Sequence, residues 1–217
     1  MRAGSGVALV VWCVLLVAVL AAPALLGSSN PGDDLTRNTV RLALGFYGVA
    51  AVVMLLLHRG EWAATTERGE LARCCWTLAW MAYLVHLAMA FHHYHGWSHA
   101  RAVEHVRAVS GVGEGIYASH LFTLLWTLDV AWWWWNPASY AARPGWVDRG
   151  LHGFLLFMIF NATVVYETGF IRWAGLFLTE GLVRLWSQRI MSLWRQQECS
   201  RRGERRPSAS SKKKSSP

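Results

Sequence analysis

The apolar residues of this chain come in unbroken blocks close to twenty long, and that feature limits its fold more than any other. Val7–Leu26 is the plainest block. About 20 apolar residues in a row cross the hydrocarbon core of a bilayer as a helix. With no water to bond there, a spanning segment must satisfy its own backbone, which in a single short chain means helices. Composition agrees: 54% of the residues are hydrophobic and only 16% charged, well under a soluble domain's usual share of charge. The predicted fold class is therefore all-α, a polytopic transmembrane helix bundle of five to six spans in the cell membrane, with the lipid bilayer as its first partner.

The blocks give the order of the chain. Spans are predicted at about 7–26, 40–57, 73–94, 117–136 and 150–168. A sixth segment, 170–196, is either a span or an interfacial helix. Arg2 and the small residues Ala22, Pro23 and Ala24 give the first block the outline of a secretory signal; its length favours a retained anchor. Gly27–Thr39 is read as a polar turn and Pro137–Arg149 as a polar link. Trp132, Trp133, Trp134 and Trp135 close the fourth span, where aromatic rings sit at the membrane interface. Residues 1–196 form the bundle and residues 197–217 a basic tail.

That tail carries Arg201, Arg202, Arg205, Arg206, Lys212, Lys213 and Lys214 against the single acid Glu204. Such a run is expected to be disordered. Beside a membrane it is expected in the cytoplasm, touching anionic lipid. It has no interleaved aromatics, so no specific nucleic-acid partner is expected. A cytoplasmic tail together with a cytoplasmic N-terminus requires the sixth segment to cross; a five-span chain is the competing topology. The four cysteines show no CxxC spacing and no disulfide framework.

Six of the nine histidines fall between Met81 and Val106. If the third helix runs on through them, His92, His95 and His99 share one face. Imidazole is the commonest ligand for zinc, iron and copper. Alternation of the spans brings His120 from the fourth and Glu167 from the fifth to the same side. The expected metal ligands are thus His92, His95, His99 and His120, with Glu167 as ligand or catalytic base. Zinc needs three protein ligands and one open position for catalysis. Paired irons need more carboxylate than Glu104, Glu114 and Glu167 supply. The weak point of the helical face is Gly96, a residue that ends helices.

Deeper in the spans lie His86, Asp129 and Asn161, polar groups that are costly at membrane depth and tend to face the bundle interior. At 1.5 Å per residue they sit roughly 10–18 Å below the histidine side. Here they are expected to line a cofactor or ligand pocket, with His86 and Asn161 bonded across the bundle; a register-fixing hydrogen-bond network is the plainer alternative. Haem b between facing histidines, His86 with His120 or His99 with His120, is a further alternative.

The run Phe91-His92-His93-Tyr94-His95-Gly96-Trp97-Ser98-His99 resembles a signature of uncharacterised bacterial multi-pass membrane proteins. So do His152-Gly153-Phe154 and Phe160-Asn161-Ala162-Thr163. The resemblance covers the third to fifth spans and implies a multi-pass fold without an activity. His95-x-x-x-His99 also resembles one histidine box of membrane di-iron hydroxylases and desaturases, but no second box exists. The expectation is an integral membrane protein with a histidine-rich metal site at one face. The alternatives are a non-enzymatic membrane subunit or scaffold, assembling with a membrane protein or with copies of itself, and a haem b electron-transfer protein.

Overall fold

A computed structural model describes residues 3–166 and 169–204. Eight helices follow one another: α1 (Ala3–Leu25), α2 (Pro31–Leu56), α3 (Glu67–Ala90), α4 (His99–Ser110), α5 (Gly115–Trp135), α6 (Pro137–Ala142), α7 (Gly145–Phe160) and α8 (Phe170–Glu204). A 3-10 turn at Arg59–Ala63 precedes α3, and π-turns at Phe91–His95 and Asn161–Val165 extend α3 and α7. There is no strand among the described residues. Three helical segments, Ala3–Leu25, Pro31–Leu56 and Glu67–His95, are long and apolar enough to cross a membrane, which suggests a membrane location.

Local chemistry sets the boundaries. The α2 helix starts within the stretch expected to be a polar turn. Asn30 caps it by accepting from the Asp33 amide at 3.4 Å, Pro31 occupies its first turn, and Asp33 and Asp34 meet the positive end of its dipole. Thr66 caps α3 through the Gly69 amide at 3.1 Å. Gly69 has to be glycine, because a Cβ there would lie 2.1 Å from the Glu61 carbonyl oxygen. Asn136 caps α6 inside the expected polar link, accepting from Ser139 at 3.0 Å.

Hydrogen bonds and side-chain contacts fix the directions of the helices. At one end of the bundle, Tyr94 donates to Asp33 at 2.5 Å, so the end of α3 meets the start of α2. At the other end, Cys74 near the start of α3 lies 3.6 Å from the Ser5 carbonyl near the start of α1. The α8 helix reaches from one end to the other. Arg172 donates to the Val164 carbonyl at 2.9 Å, Gly175 lies against Thr163, and Leu178 touches Gly48 midway along α2. Arg189 then donates to the carbonyls of Met54, Leu55 and Leu57 at 2.6–2.9 Å. Those carbonyls close the C-terminal end of α2, where only Met54 also accepts a backbone amide, that of Leu57 at 3.3 Å, so a guanidinium suits them. The α8 helix continues to Glu204, carrying into helix the first residues of the tail expected to be disordered; residues 205–217 lie outside the described residues.

The core is aromatic. Trp76, Trp126 and Trp133 are almost fully buried, and Trp12 of α1 donates to the Leu78 carbonyl at 3.0 Å. In contrast, Val7, Val10, Val14 and Val17 of α1 are each more than 60% exposed, an apolar face of the kind that lipid covers.

Candidate functional site

At the end of the bundle where α2 finishes and α7 starts, charge is buried. Asp129 lies six residues before the end of α5 and is 4% exposed. Its Oδ2 accepts from Trp76 Nε1 at 2.9 Å and from the Tyr140 hydroxyl at 3.0 Å. Its Oδ1 accepts from Arg143 at 2.5 Å. The other terminal nitrogen of Arg143 donates to Asp148 at 2.5 Å and to His152 Nε2 at 3.4 Å. Asp148 and His152, four apart on α7, close the group at 3.6 Å.

Aromatic rings build the walls. The Arg143 guanidinium lies 3.8 Å from the centroid of the Tyr140 ring and 5.4 Å from Trp62. Tyr140 in turn stacks on Trp133 at 4.5 Å. Trp133 Nε1 donates to the Trp62 carbonyl at 2.8 Å, which pins the 3-10 turn to α5. The Trp62 Nε1 itself is buried with no hydrogen-bond partner among the described residues. A flat guanidinium fits between rings and binds two carboxylates at once, where an ammonium would not.

This electrostatic setting changes how the groups ionise. Burial raises the Tyr140 hydroxyl well above the ordinary tyrosine value, and the neighbouring Asp129 charge adds to that. Burial works against the charge on Arg143, but Tyr140, Asp129 and Asp148 outweigh it and hold the guanidinium charged.

The group opens onto a cavity of about 680 Å³ between α2, α7 and α8. Arg143, Asp148, His152 and Arg149 line it on one side, and Leu182, Leu185 and Trp186 of α8 on another. Three arginines, Arg143, Arg149 and Arg189, line the cavity against a single carboxylate in its lining, Asp148.

The residues singled out from sequence are placed differently. His92, His95 and His99 do not share a helical face. The π-turn at Phe91–His95 shifts the register, Gly96 adopts a left-handed φ of 53°, and α4 begins afresh at His99. His95 is buried against Phe91 and His105, with ring centroids 5.3 and 5.2 Å away, while His92 and His93 are exposed. His99 and His120 do meet, Nε2 to Nε2, at 3.2 Å. Among the described residues, no group of three or more histidine, cysteine or acidic side chains is placed to hold a metal. Glu167 lies outside the described residues.

The interior trio does not join either. His86 donates from Nδ1 to the Thr36 carbonyl at 2.9 Å. Asn161 donates to the Phe157 carbonyl of its own helix at 2.8 Å. Asp129 belongs to the Arg143 group at the opposite end. The three therefore bond separate partners: His86 reaches α2, Asn161 its own helix, and Asp129 accepts from α3 and from the link after α5. Two axial haem ligands on opposite faces of an iron would stand about 4 Å apart, so the 3.2 Å contact of His99 with His120 does not fit that pair.

Arg143, Asp148, His152, Tyr140 and Trp62 are what sequence reasoning missed. One signal was available: Asp148 and His152 are four apart in a segment otherwise apolar from Leu151 onward, with Arg143 just before them. Against known proteins, the chain matches no family model, no curated protein and no solved structure.

Proposed function

We propose that the protein is a six-span membrane protein that binds an anionic amphiphile in the cavity beside Arg143. The observation that carries this reading is the cavity itself, with cationic and apolar walls facing each other. An acidic headgroup would pair with the exposed Arg149, while the enclosed Arg143, held by Asp129 and Asp148, adds positive field behind it; an acyl or isoprenoid chain would lie along Leu182, Leu185 and Trp186. Sites of this size, mostly apolar with a few converging polar groups, are the usual form of small-ligand pockets.

The span count rests on geometry and charge. From Arg172 to Arg189, α8 covers about 25 Å at helical rise, close to a hydrocarbon core. Its charges are paired or bonded: Glu180 and Arg184 neutralise each other at 2.5 Å on the exposed face of the helix, and Arg172 and Arg189 bond backbone carbonyls near the two ends. The α5 helix, 21 residues long, ends in interfacial tryptophans, and α7 with its π-turn returns across the bundle. The start of α1 and the end of α8 then lie on the Arg143 side. The positive-inside bias of Arg59, Arg68, Arg73, Arg143 and Arg149, with the basic tail, makes that side cytoplasmic. The histidine-bearing end faces the other way.

Native mass spectrometry of the detergent-purified protein tests the reading, using a single-chain alkyl phosphate and its zwitterionic choline ester as probes. The expected result is retention of one alkyl phosphate, weakened several-fold by Arg149→Gln, with little retention of the choline ester. Equal retention of both probes, unaffected by Arg149→Gln, would contradict it.

A further inference from the structure

We propose that His99 and His120 form a binding site for a divalent transition-metal ion, zinc or copper, on the face of the bundle opposite the Arg143 cavity. The site is smaller than the four-histidine set expected from sequence and is made differently. It does not lie along one helix. It is a clasp between α4 and α5, which fold back on each other through the turn after Gly111, whose φ is 80°.

Ser98 caps α4, accepting from the Arg101 amide at 3.4 Å, and this places His99 in the first turn of the helix. His120 stands one turn into α5. Their Nε2 atoms face each other at 3.2 Å, with ring planes inclined by 28°. Zinc–imidazole bonds are about 2.0–2.1 Å long, so two imidazoles on one tetrahedral ion hold their nitrogens about 3.3–3.4 Å apart. The observed separation nearly matches that spacing. Both rings are exposed, so an ion reaches them from water, and water or a solute fills the remaining positions. Imidazole pairs suit zinc and copper, whereas magnesium and calcium prefer oxygen. Binding requires both rings to be neutral, so affinity falls in acid.

A simple N–H···N hydrogen bond also fits two nitrogens at 3.2 Å, so the test must separate the two. Metal-stripped, detergent-purified protein is titrated with Zn²⁺ against a chromophoric chelator, and with Cu²⁺ under electron paramagnetic resonance. The expected result is one equivalent of metal, with nitrogen hyperfine structure from imidazole in the copper spectrum. His99→Ala and His120→Ala each weaken binding by roughly tenfold or more, His92→Ala leaves it unchanged, and His120→Cys retains it. Melting temperatures measured without metal show that each variant is folded. Wild-type protein without a binding equivalent, or binding that survives His99→Ala with His120→Ala, overturns the site and leaves the pair as a hydrogen bond. Loss of equal size in His92→Ala also overturns it, because His92 takes no part in the clasp. None of these outcomes bears on the alkyl phosphate cavity at the other end.

Discussion

Arg143 donates to Asp129 at 2.5 Å, and the two side chains are only 1% and 3% exposed. An ion pair so enclosed is costly to break from one side, because the survivor is left charged without its partner. Removing one member of such a pair costs about 3–5 kcal/mol. Asp129→Asn and Arg143→Gln are each expected to destabilise the protein by that order. The double variant should lose less than the sum by about 1–3 kcal/mol, because the substituted amide would keep an acceptor for Trp76 and Tyr140 and neither position holds a buried charge, while the loss of Arg143 from the partly exposed Asp148 is common to Arg143→Gln and the double variant. Denaturant unfolding in detergent, read by tryptophan fluorescence, checks this; strict additivity would show the two residues to be uncoupled.

Tyr140 gives the site a pH dependence. Burial raises its hydroxyl well above the ordinary value, which is about 10 in an unfolded chain. A raised folded-state value means the contribution is whole below the unfolded value and is lost as pH rises above it. Stability should therefore hold through neutral pH and decline beyond about pH 10. Tyr140→Phe should lower stability at neutral pH by about 1.5–3 kcal/mol, since the lost bond is to a carboxylate, and should blunt the alkaline decline. Melting temperature followed from about pH 7 to about pH 11 in both proteins, a range that brackets the ordinary tyrosine value, checks it. Parallel curves would place the sensitivity elsewhere.

The contact of α7 with α8 depends on a missing side chain. A Cβ at Gly175 would lie 2.3 Å from Thr163 Oγ1 and 2.7 Å from Thr163 Cβ. Thr163 has little freedom to move, because its hydroxyl donates to the Ile159 carbonyl at 2.8 Å. Gly175→Ala should cost about 1–3 kcal/mol by overpacking, despite alanine's better helix propensity. Adding Thr163→Gly should recover part of that loss. Thermal unfolding of the three variants decides; a neutral or stabilising Gly175→Ala would mean that α8 does not pack where it is placed.

Much of the bundle could be read from the chain, because apolar length is a one-dimensional property. The blocks at 7–26, 40–57 and 73–94 overlap the three segments long and apolar enough to span, each of which starts earlier than its block; the blocks at 117–136, 150–168 and 170–196 are not among them. Boundaries were less legible: α2 starts at Pro31 through a cap that Asn30 and Pro31 announce, inside a stretch whose polarity suggested a turn. The site was hidden for a different reason. Histidine density drew attention to one end of the molecule, but a π-turn and Gly96 redirect those rings, and no periodicity signals a π-turn. Asp129 stood out as a buried acid; its partner did not, because Arg143 lies in a short polar link that only tertiary packing folds inward.

The central claim is that an anionic amphiphile occupies the cavity beside Arg143. Photo-crosslinking tests it most directly. A long-chain alkyl phosphate with a diazirine near the end of its tail is irradiated with the purified protein, and the labelled residues are mapped by peptide mass spectrometry. The account predicts saturable labelling concentrated at Leu182, Leu185 and Trp186 and at the last turn of α2, reduced by excess unlabelled alkyl phosphate and by Arg149→Gln. Labelling confined to the exposed face of α1, at Val7, Val10, Val14 and Val17, and indifferent to competitor, would contradict it.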